Sequence, residues 1–488
     1  MKQKEFFSSR LGFVLSMIGI AIGAGNIWRF PRIVAQNGGL VFLVLWFMFL
    51  ITWSIPLIII ELGIGKLTKK APIGAVIKTA GKNFAWAGAF IALVTTAILA
   101  YYSSVVGWGA SYFIYSIKGI LFSHSNLELL WNDHCCSMQP LFFHFLSILF
   151  ATFITYNGIK KGIERCNKIL IPLFIFCLVI IFIRAITLPN AWLGIKSLFS
   201  LNVTDFKNYK IWIEALTQNA WDTGAGWGLL LVYAGYVRKK EAIVSNGIIT
   251  AVSNNIVSLI MGIIVFSAVF SLDNQGILAL ISGSGSSNLG LTFIYLPKLF
   301  SQLPGSILIK IFFSSAFFLA FAVAALSSLI SMFLLTAQTI EELNISKKIS
   351  FIITAIISFL LGIPSALKPS FFNNQDTVWG IGLIINGLII ALSVIKYGLI
   401  KFKKKVINNV SNDIHLNKNF DFLIKIVIPI EGISLVCWYF YQSFISNPKS
   451  WFYPFSLTSL ANLILQWSIP LIIFISFNKW LIKRNHSK

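Results

Sequence analysis

The stretch that decides the fold is "GIAIGAGNIWRFP", Gly19 to Pro31. It begins inside an apolar run and then breaks into glycines, an asparagine and an arginine. The letters GAG return in "NAWDTGAGWG", Asn219 to Gly228. Within hydrocarbon each unpaired backbone polar group costs several kcal/mol, so an interrupted helix persists only where something else satisfies the freed groups. Freed carbonyls suit a cation. Freed N–H groups at the start of the second half-helix suit an anion, because the helix dipole is positive there. An α-amino acid bound with sodium meets both needs. The plainer alternative reads Gly19, Gly23 and Gly25 as small residues that let helices pack closely. It leaves Asn26 and Arg29 unexplained, and polar residues within a membrane segment are functional candidates.

Composition agrees with a membrane setting. The chain has 488 residues, 57% hydrophobic and 11% charged, with a mean hydropathy of +0.82. A soluble chain of this length needs far more polar surface. A spanning helix takes about 20 mostly apolar residues. Twelve segments fit, near 11–36, 40–65, 87–120, 139–158, 167–187, 211–235, 241–272, 305–342, 349–367, 377–398, 422–445 and 456–482. The net charge of +23 is concentrated in alternate loops. Lys66, Lys69, Lys70, Lys78 and Lys82 follow the second segment, and Lys160, Lys161, Arg165 and Lys168 the fourth. Arg238, Lys239 and Lys240 follow the sixth, Lys347 and Lys348 the eighth, and Lys401 and Lys403 to Lys405 the tenth. This pattern predicts cytoplasmic termini, and it reads as a topology signal rather than a nucleic-acid surface. The opposite loops, near 121–138, 188–210 and 273–304, are longer. The last holds "SGSGSSNLG" and reads as a loop with small helices over a vestibule.

The five cysteines, Cys135 and Cys136 among them, form no disulfide framework or metal-site spacing. No paired catalytic constellation points to an enzyme, and the first segment lacks the cleavage site of a signal peptide. Short tails imply a bacterial plasma-membrane protein, monomeric or homodimeric. Segments one and six, which carry the GAG letters, each open a group of five. That spacing predicts two inverted repeats, 11–187 and 211–398, followed by segments eleven and twelve at 422–482, with the binding site at the breaks.

These residues also carry a family resemblance. "RLGFVLSMIGIAIGAGNIWRFPRIVAQNGG", Arg10 to Gly39, resembles the first-helix signature of the neurotransmitter:sodium symporter family. The similarity continues in order through "IPLIIIELGIGK", "AYYSSVVGW", "KGIERCNKILIP", "YAGYVRKKEAIV" and "AALSSLISMF". It implies an all-α membrane protein of the leucine-transporter (LeuT-type) fold, with helices one and six broken at mid-membrane. It also implies a symporter that imports an amino acid by alternating access. Two sodium ions are implied. The first would be held by Ala21, Asn26, Asp222 and Asn254, the second by Gly19, Ile22, Ala324, Ser327 and Ser328. Without the resemblance, Ser327 and Ser328 read as hydroxyls bonded back to their own helix. The substrate carboxylate would meet the N–H groups of Ala24 and Gly25 and the Tyr102 hydroxyl. Its ammonium would meet carbonyls of Ala21, Trp221 and Asp222. Ile98, Trp221, Gly224, Trp227, Ser328 and Met332 would line the side-chain pocket. Gly23 stands where amine-selective members place an aspartate, which favours a substrate with its own carboxylate. Arg29 with Asp376 resembles an external gate, and Lys4, Tyr236 and Glu342 an internal one, with Lys4 in place of the usual arginine. Glu61 reads either as an acceptor for the opened backbone of segment six or as an interfacial charge.

Besides Lys4, three positions depart from the family pattern. Asp222 replaces the usual serine or threonine. Trp46 stands where chloride-dependent members have a tyrosine, while Gln218, Asn254 and Ser258 match the rest of that chloride region. Ile20 replaces an asparagine of the leucine-transporting relative. Asp222 reads as a charge that substitutes for chloride, making chloride unnecessary, or as an N-cap of the second half of segment six. Two other readings stand beside the amino-acid symporter: a carrier of another small zwitterion or organic amine, and a non-transporting sensor of the same fold.

Overall fold

The computed structural model describes residues 5–124, 126–272, 288–446, 448–457 and 459–486, all helix, turn or irregular chain without strands. Segment one starts at Arg10, where the Ser9 hydroxyl caps the helix by accepting from Gly12 N at 3.0 Å. It runs Arg10–Ala21, opens at Ile22 in an extended conformation, and resumes as a π-helical turn, Gly25–Arg29, and Phe30–Asn37. The two halves meet at 47°. Segment six is Tyr209–Asp222 and Leu229–Ala234. Between them Gly224, Gly226 and Gly228 all take positive φ, a conformation that residues with a Cβ rarely adopt.

The remaining segments follow in order: Gly39–Thr68, Lys82–Ile117, Gln139–Tyr156 and Ile159–Ile186, then Ile243–Leu272, Ile307–Glu341, Lys347–Leu367 and Pro369–Tyr397. Those eight helices are long and apolar enough to cross a membrane. The count is ten if two bent pairs each form one span, segment one and Leu460–Ser476 with Asn478–Asn485. Segment six falls outside this count among the described residues, its short halves being separated by Thr223 to Gly228. Segment eleven, Ile428–Ser446, is helical but diluted by Glu431, Gln442 and its serines and tyrosines.

Burial sorts these helices into layers. The most apolar windows of segments three and eight are 83% buried, against 39% in segments four and nine and 33% in segment five. Three and eight therefore form the centre and pack around the broken helices, while five and nine present apolar side chains outward to lipid. Small helices cover one end, as expected for the longer loops: Leu127–Cys136, Ala191–Leu198 and Leu296–Gln302. Trp131 stacks on Phe293 there at 4.9 Å. Residues 273–287, with most of the "SGSGSSNLG" run, lie outside the described residues. At the other end Glu5 and Asn485 line one cavity, so the two ends of the described chain lie together.

Packing is closest where glycine removes a side chain. A Cβ on Gly65 in segment two would overlap the carbonyl of Leu231, in the second half of segment six. Gly65→Ala should force these elements apart and lower stability by about 1–3 kcal/mol. Thermal unfolding of the purified protein in detergent checks this, and an unchanged midpoint would contradict the packing.

Candidate functional site

The broken segments face each other. A Cβ on Gly224 would lie 3.1 Å from the Ile20 side chain and 3.7 Å from Ala21 Cα. The opened backbone of segment six is satisfied by Glu61, which is fully buried in segment two. Its carboxylate accepts from Gly226 N at 3.0 Å, Leu230 N at 3.0 Å and Leu231 N at 3.4 Å. A negative group suits the N-terminus of a half-helix. The reading of Glu61 as an interfacial charge does not describe this geometry.

Asn26 ties the two breaks together. Its Oδ1 accepts from Gly23 N at 2.8 Å. Its Nδ2 lies 3.2 Å from Asp222 Oδ2, 2.8 Å from one end of the Asn254 amide and 2.8 Å from Ser258 Oγ. Asp222 Oδ2 also accepts from Ser258 Oγ at 2.7 Å. Its other oxygen, Oδ1, is buried without a hydrogen-bond partner and faces Gly25. One end of the Asn254 amide lies 2.9 Å from the Ala21 carbonyl and 3.0 Å from the Asp222 carbonyl. With nitrogen on that side it donates to both. With oxygen there, it accepts from Asn26 Nδ2 at 2.8 Å and three oxygens come together, an arrangement that a cation would suit. The four residues expected around a first ion thus form one cluster, with an unpaired carboxylate oxygen. Among the described residues the Asp222 side chain bonds Asn26, Asn254 and Ser258, and Glu61 serves the N–H groups of the second half of segment six.

A second cluster joins segments one and eight. Ser327 Oγ donates to Gly19 O at 2.9 Å and to Ala324 O at 2.8 Å. Ser328 Oγ lies 3.2 Å from Gly19 O and 3.3 Å from Ile22 O. Ser328 therefore reaches across to segment one rather than back along its own helix. With the Ile20 carbonyl, 3.2 Å from Ser328 Oγ, six oxygens meet here, a donor set suited to a hard cation.

Between the clusters lies a cavity of about 50 Å³. Of the expected substrate residues it is lined by Ala21, Gly23, Gly25, Ile98, Tyr102, Trp221, Asp222, Gly224, Trp227, Ser328 and Met332. Ala24 contributes from behind, its N–H donating to the Tyr102 hydroxyl at 2.9 Å. Ile20, Trp28 and Tyr101 line it too. Gly23 is glycine for space: a Cβ there would sit 2.9 Å from the Tyr102 hydroxyl and 3.0 Å from Ser328 Oγ. The indole of Trp221 fits against Gly380 of segment ten, where any Cβ would overlap the ring.

Over the cavity the Arg29 guanidinium stacks on the Trp221 ring at 4.7 Å. Asp376 lines the same cavity, and no ion pair joins it to Arg29 among the described residues. At the terminal end Lys4 lies outside the described residues. Tyr236 hydrogen-bonds Gln338. Glu342 accepts from Ala71 N at 2.7 Å and Gly74 N at 3.1 Å, capping the short helix Pro72–Thr79. Glu342 and its neighbour Glu341 both line the cavity shared by Glu5, Tyr236 and Gln338. In the expected chloride region, Gln218 and the Trp46 indole N–H are buried without partners. Trp46 packs on Phe30 at 4.6 Å between ring centroids.

An α-helical membrane protein with oxygen-lined clusters at two facing helix breaks is built as an ion-coupled transporter. Comparison with known proteins gives the family. The profile of the sodium:neurotransmitter symporter family matches residues 4–142 and 139–483, and the chain belongs to that family. It is similar to an uncharacterized sodium-dependent transporter of Methanocaldococcus jannaschii, 31% identical over 368 residues, covering 71% of this chain and 72% of that one. An uncharacterized sodium-dependent transporter of Bacillus subtilis is 27% identical over 452 residues, covering 88% and 96%. Among solved structures, MhsT in complex with L-phenylalanine superposes with a TM-score of 0.75 at 28% identity, covering 89% of this chain and 99% of that one. The fold is of the LeuT type.

Glu61→Ala should leave three buried N–H groups unsatisfied, at about 1–3 kcal/mol each. The expected result is loss of monodisperse protein or a large fall in thermal midpoint. An unperturbed midpoint would show that the break does not depend on this carboxylate.

Proposed function

We propose that this sodium-dependent transporter imports an amino acid with an apolar side chain, and that it does so without chloride. Alternating access would come from rocking of two inverted repeats, 11–187 and 211–398, about the facing breaks. The basic loops favour cytoplasmic termini, and the bacterial relative favours a plasma membrane. One sodium ion would sit among Ala21, Asn26, Asp222 and Asn254, the other among Gly19, Ile22, Ala324, Ser327 and Ser328. Arg29, Trp221 and Asp376 would close the outer side, and Lys4, Tyr236 and Glu342 the inner side.

The observation that carries the reading is the seat between Gly23, Ala24 and Tyr102. A backbone N–H and a phenol converge where glycine leaves room, a seat for a carboxylate that the substrate itself brings. A carboxylate supplied by the protein at position 23 would serve an amine instead. Ile98, Met332 and Trp227 supply an apolar wall for the side chain. L-phenylalanine in the MhsT complex is a ligand of the same general kind. Asp222 supports chloride independence, because its unpaired Oδ1 places a negative charge within the first ion cluster. In a low-dielectric site that charge balances a sodium ion strongly.

Uptake of labelled L-phenylalanine into proteoliposomes, competed by a panel of amino acids, tests the substrate class. Uptake should require an inward sodium gradient and persist when gluconate replaces chloride. Competition by amines, with none by amino acids, would refute the substrate reading. Asp222→Ser should convert uptake to chloride dependence, with about a tenfold gain on adding chloride. Full activity of that variant in gluconate would refute the charge-balancing role.

A further inference from the structure

Asn167, in segment five, is fully buried, and neither its Oδ1 nor its Nδ2 has a hydrogen-bond partner. A wholly orphaned buried amide is rare in a folded protein and calls for a reason. Its position supplies one. A Cβ built on Gly19 would lie 3.1 Å from Asn167 Oδ1 and 3.3 Å from the Ser327 side chain. The spare carboxamide thus sits beside the residue whose carbonyl anchors the second ion cluster. Ile171, the other neighbour at that point, is apolar.

The same seam continues toward the end of the molecule that holds both termini. Glu164 precedes Asn167 by three residues, so the two share one face of segment five. Gly12 and Gly19, seven residues apart, share the facing side of segment one. A Cβ on Gly12 would overlap the Glu164 carboxylate. Glu164 accepts from Ser8 N at 2.7 Å, bonds the Ser8 hydroxyl, and pairs with Lys168 at 2.7 Å. Lys168 and Ser8 are exposed. A polar track therefore runs from the Gly19 carbonyl through Asn167 to Glu164 and the surface, between otherwise apolar helices.

We propose that Asn167 is a transit ligand for sodium leaving the second cluster, its Oδ1 receiving the ion before Glu164 does. An ion that leaves these oxygens for an apolar seam loses its stabilisation at once. A spare amide one step away divides that loss into two smaller ones. The resting molecule tolerates the unsatisfied group because the ion uses it only in passage.

The proposal rests on reading Ser327 and Ser328 as a sodium site, and the test separates the two. Radioactive sodium is the probe, bound to the purified full-length chain. The release phase abolished by Ser327→Ala is the one followed. If Ser327→Ala abolishes no phase, the site reading itself fails. In Asn167→Ala and Asn167→Leu, equilibrium sodium binding should stay within about twofold of the parent while release slows about tenfold. Asn167→Ser, which keeps an oxygen, should recover most of the rate and covers the case in which the larger changes do not fold. Parental release rates in the Asn167 variants would overturn the transit role. So would a tenfold loss of equilibrium binding, which would make Asn167 a resident ligand.

Discussion

The structure depends on one constraint: backbone groups opened inside a low-dielectric bundle must find partners. Segments one and six are both opened at the same depth, and each opening is closed by a different chemistry. In segment six the second half-helix begins on three N–H groups, and the buried carboxylate of Glu61 holds them. In segment one the freed carbonyls of Gly19 and Ile22 meet hydroxyls of segment eight, and the N–H of Gly23 meets Asn26. Segments two and eight are thus structural supports for the breaks as well as packing layers.

This arrangement links the ligands. Ala21 belongs to the first ion cluster and to the cavity wall, and Ser328 belongs to the second cluster and to the same wall. An ion bound at either cluster, as proposed, would therefore order part of the proposed substrate seat. Coupling needs no long pathway when the same few residues serve two ligands across one break.

Much of this was legible in the sequence because local chemistry announces it. Glycines, an asparagine and an arginine interrupt an apolar run, and few arrangements tolerate that in lipid. What was not legible depends on contacts between distant segments. The two GAG runs look equivalent, yet Gly23 provides space for Tyr102 and Ser328 while Gly224 and Gly226 provide positive φ. Glu341 and Glu342 are adjacent, but successive helix positions point about 100° apart. Both line the terminal cavity, yet only Glu342 also caps Pro72–Thr79. Asn167 sits inside a motif whose spelling does not reveal that its amide is left over. The stacking of Arg29 on Trp221 was hidden for the same reason, since it joins segments almost two hundred positions apart.

Trp221 and Gly380 occupy what is effectively a single volume shared by two helices. The indole that forms one wall of the cavity has its place only because segment ten gives up a side chain. Bulk at either position is therefore a joint quantity. A larger residue at 380 would need a smaller one at 221 or would push the indole into the cavity, and a smaller residue at 221 would leave room at 380. The shape of the cavity is consequently open to adjustment from a helix that carries neither break, through a residue that does not line it.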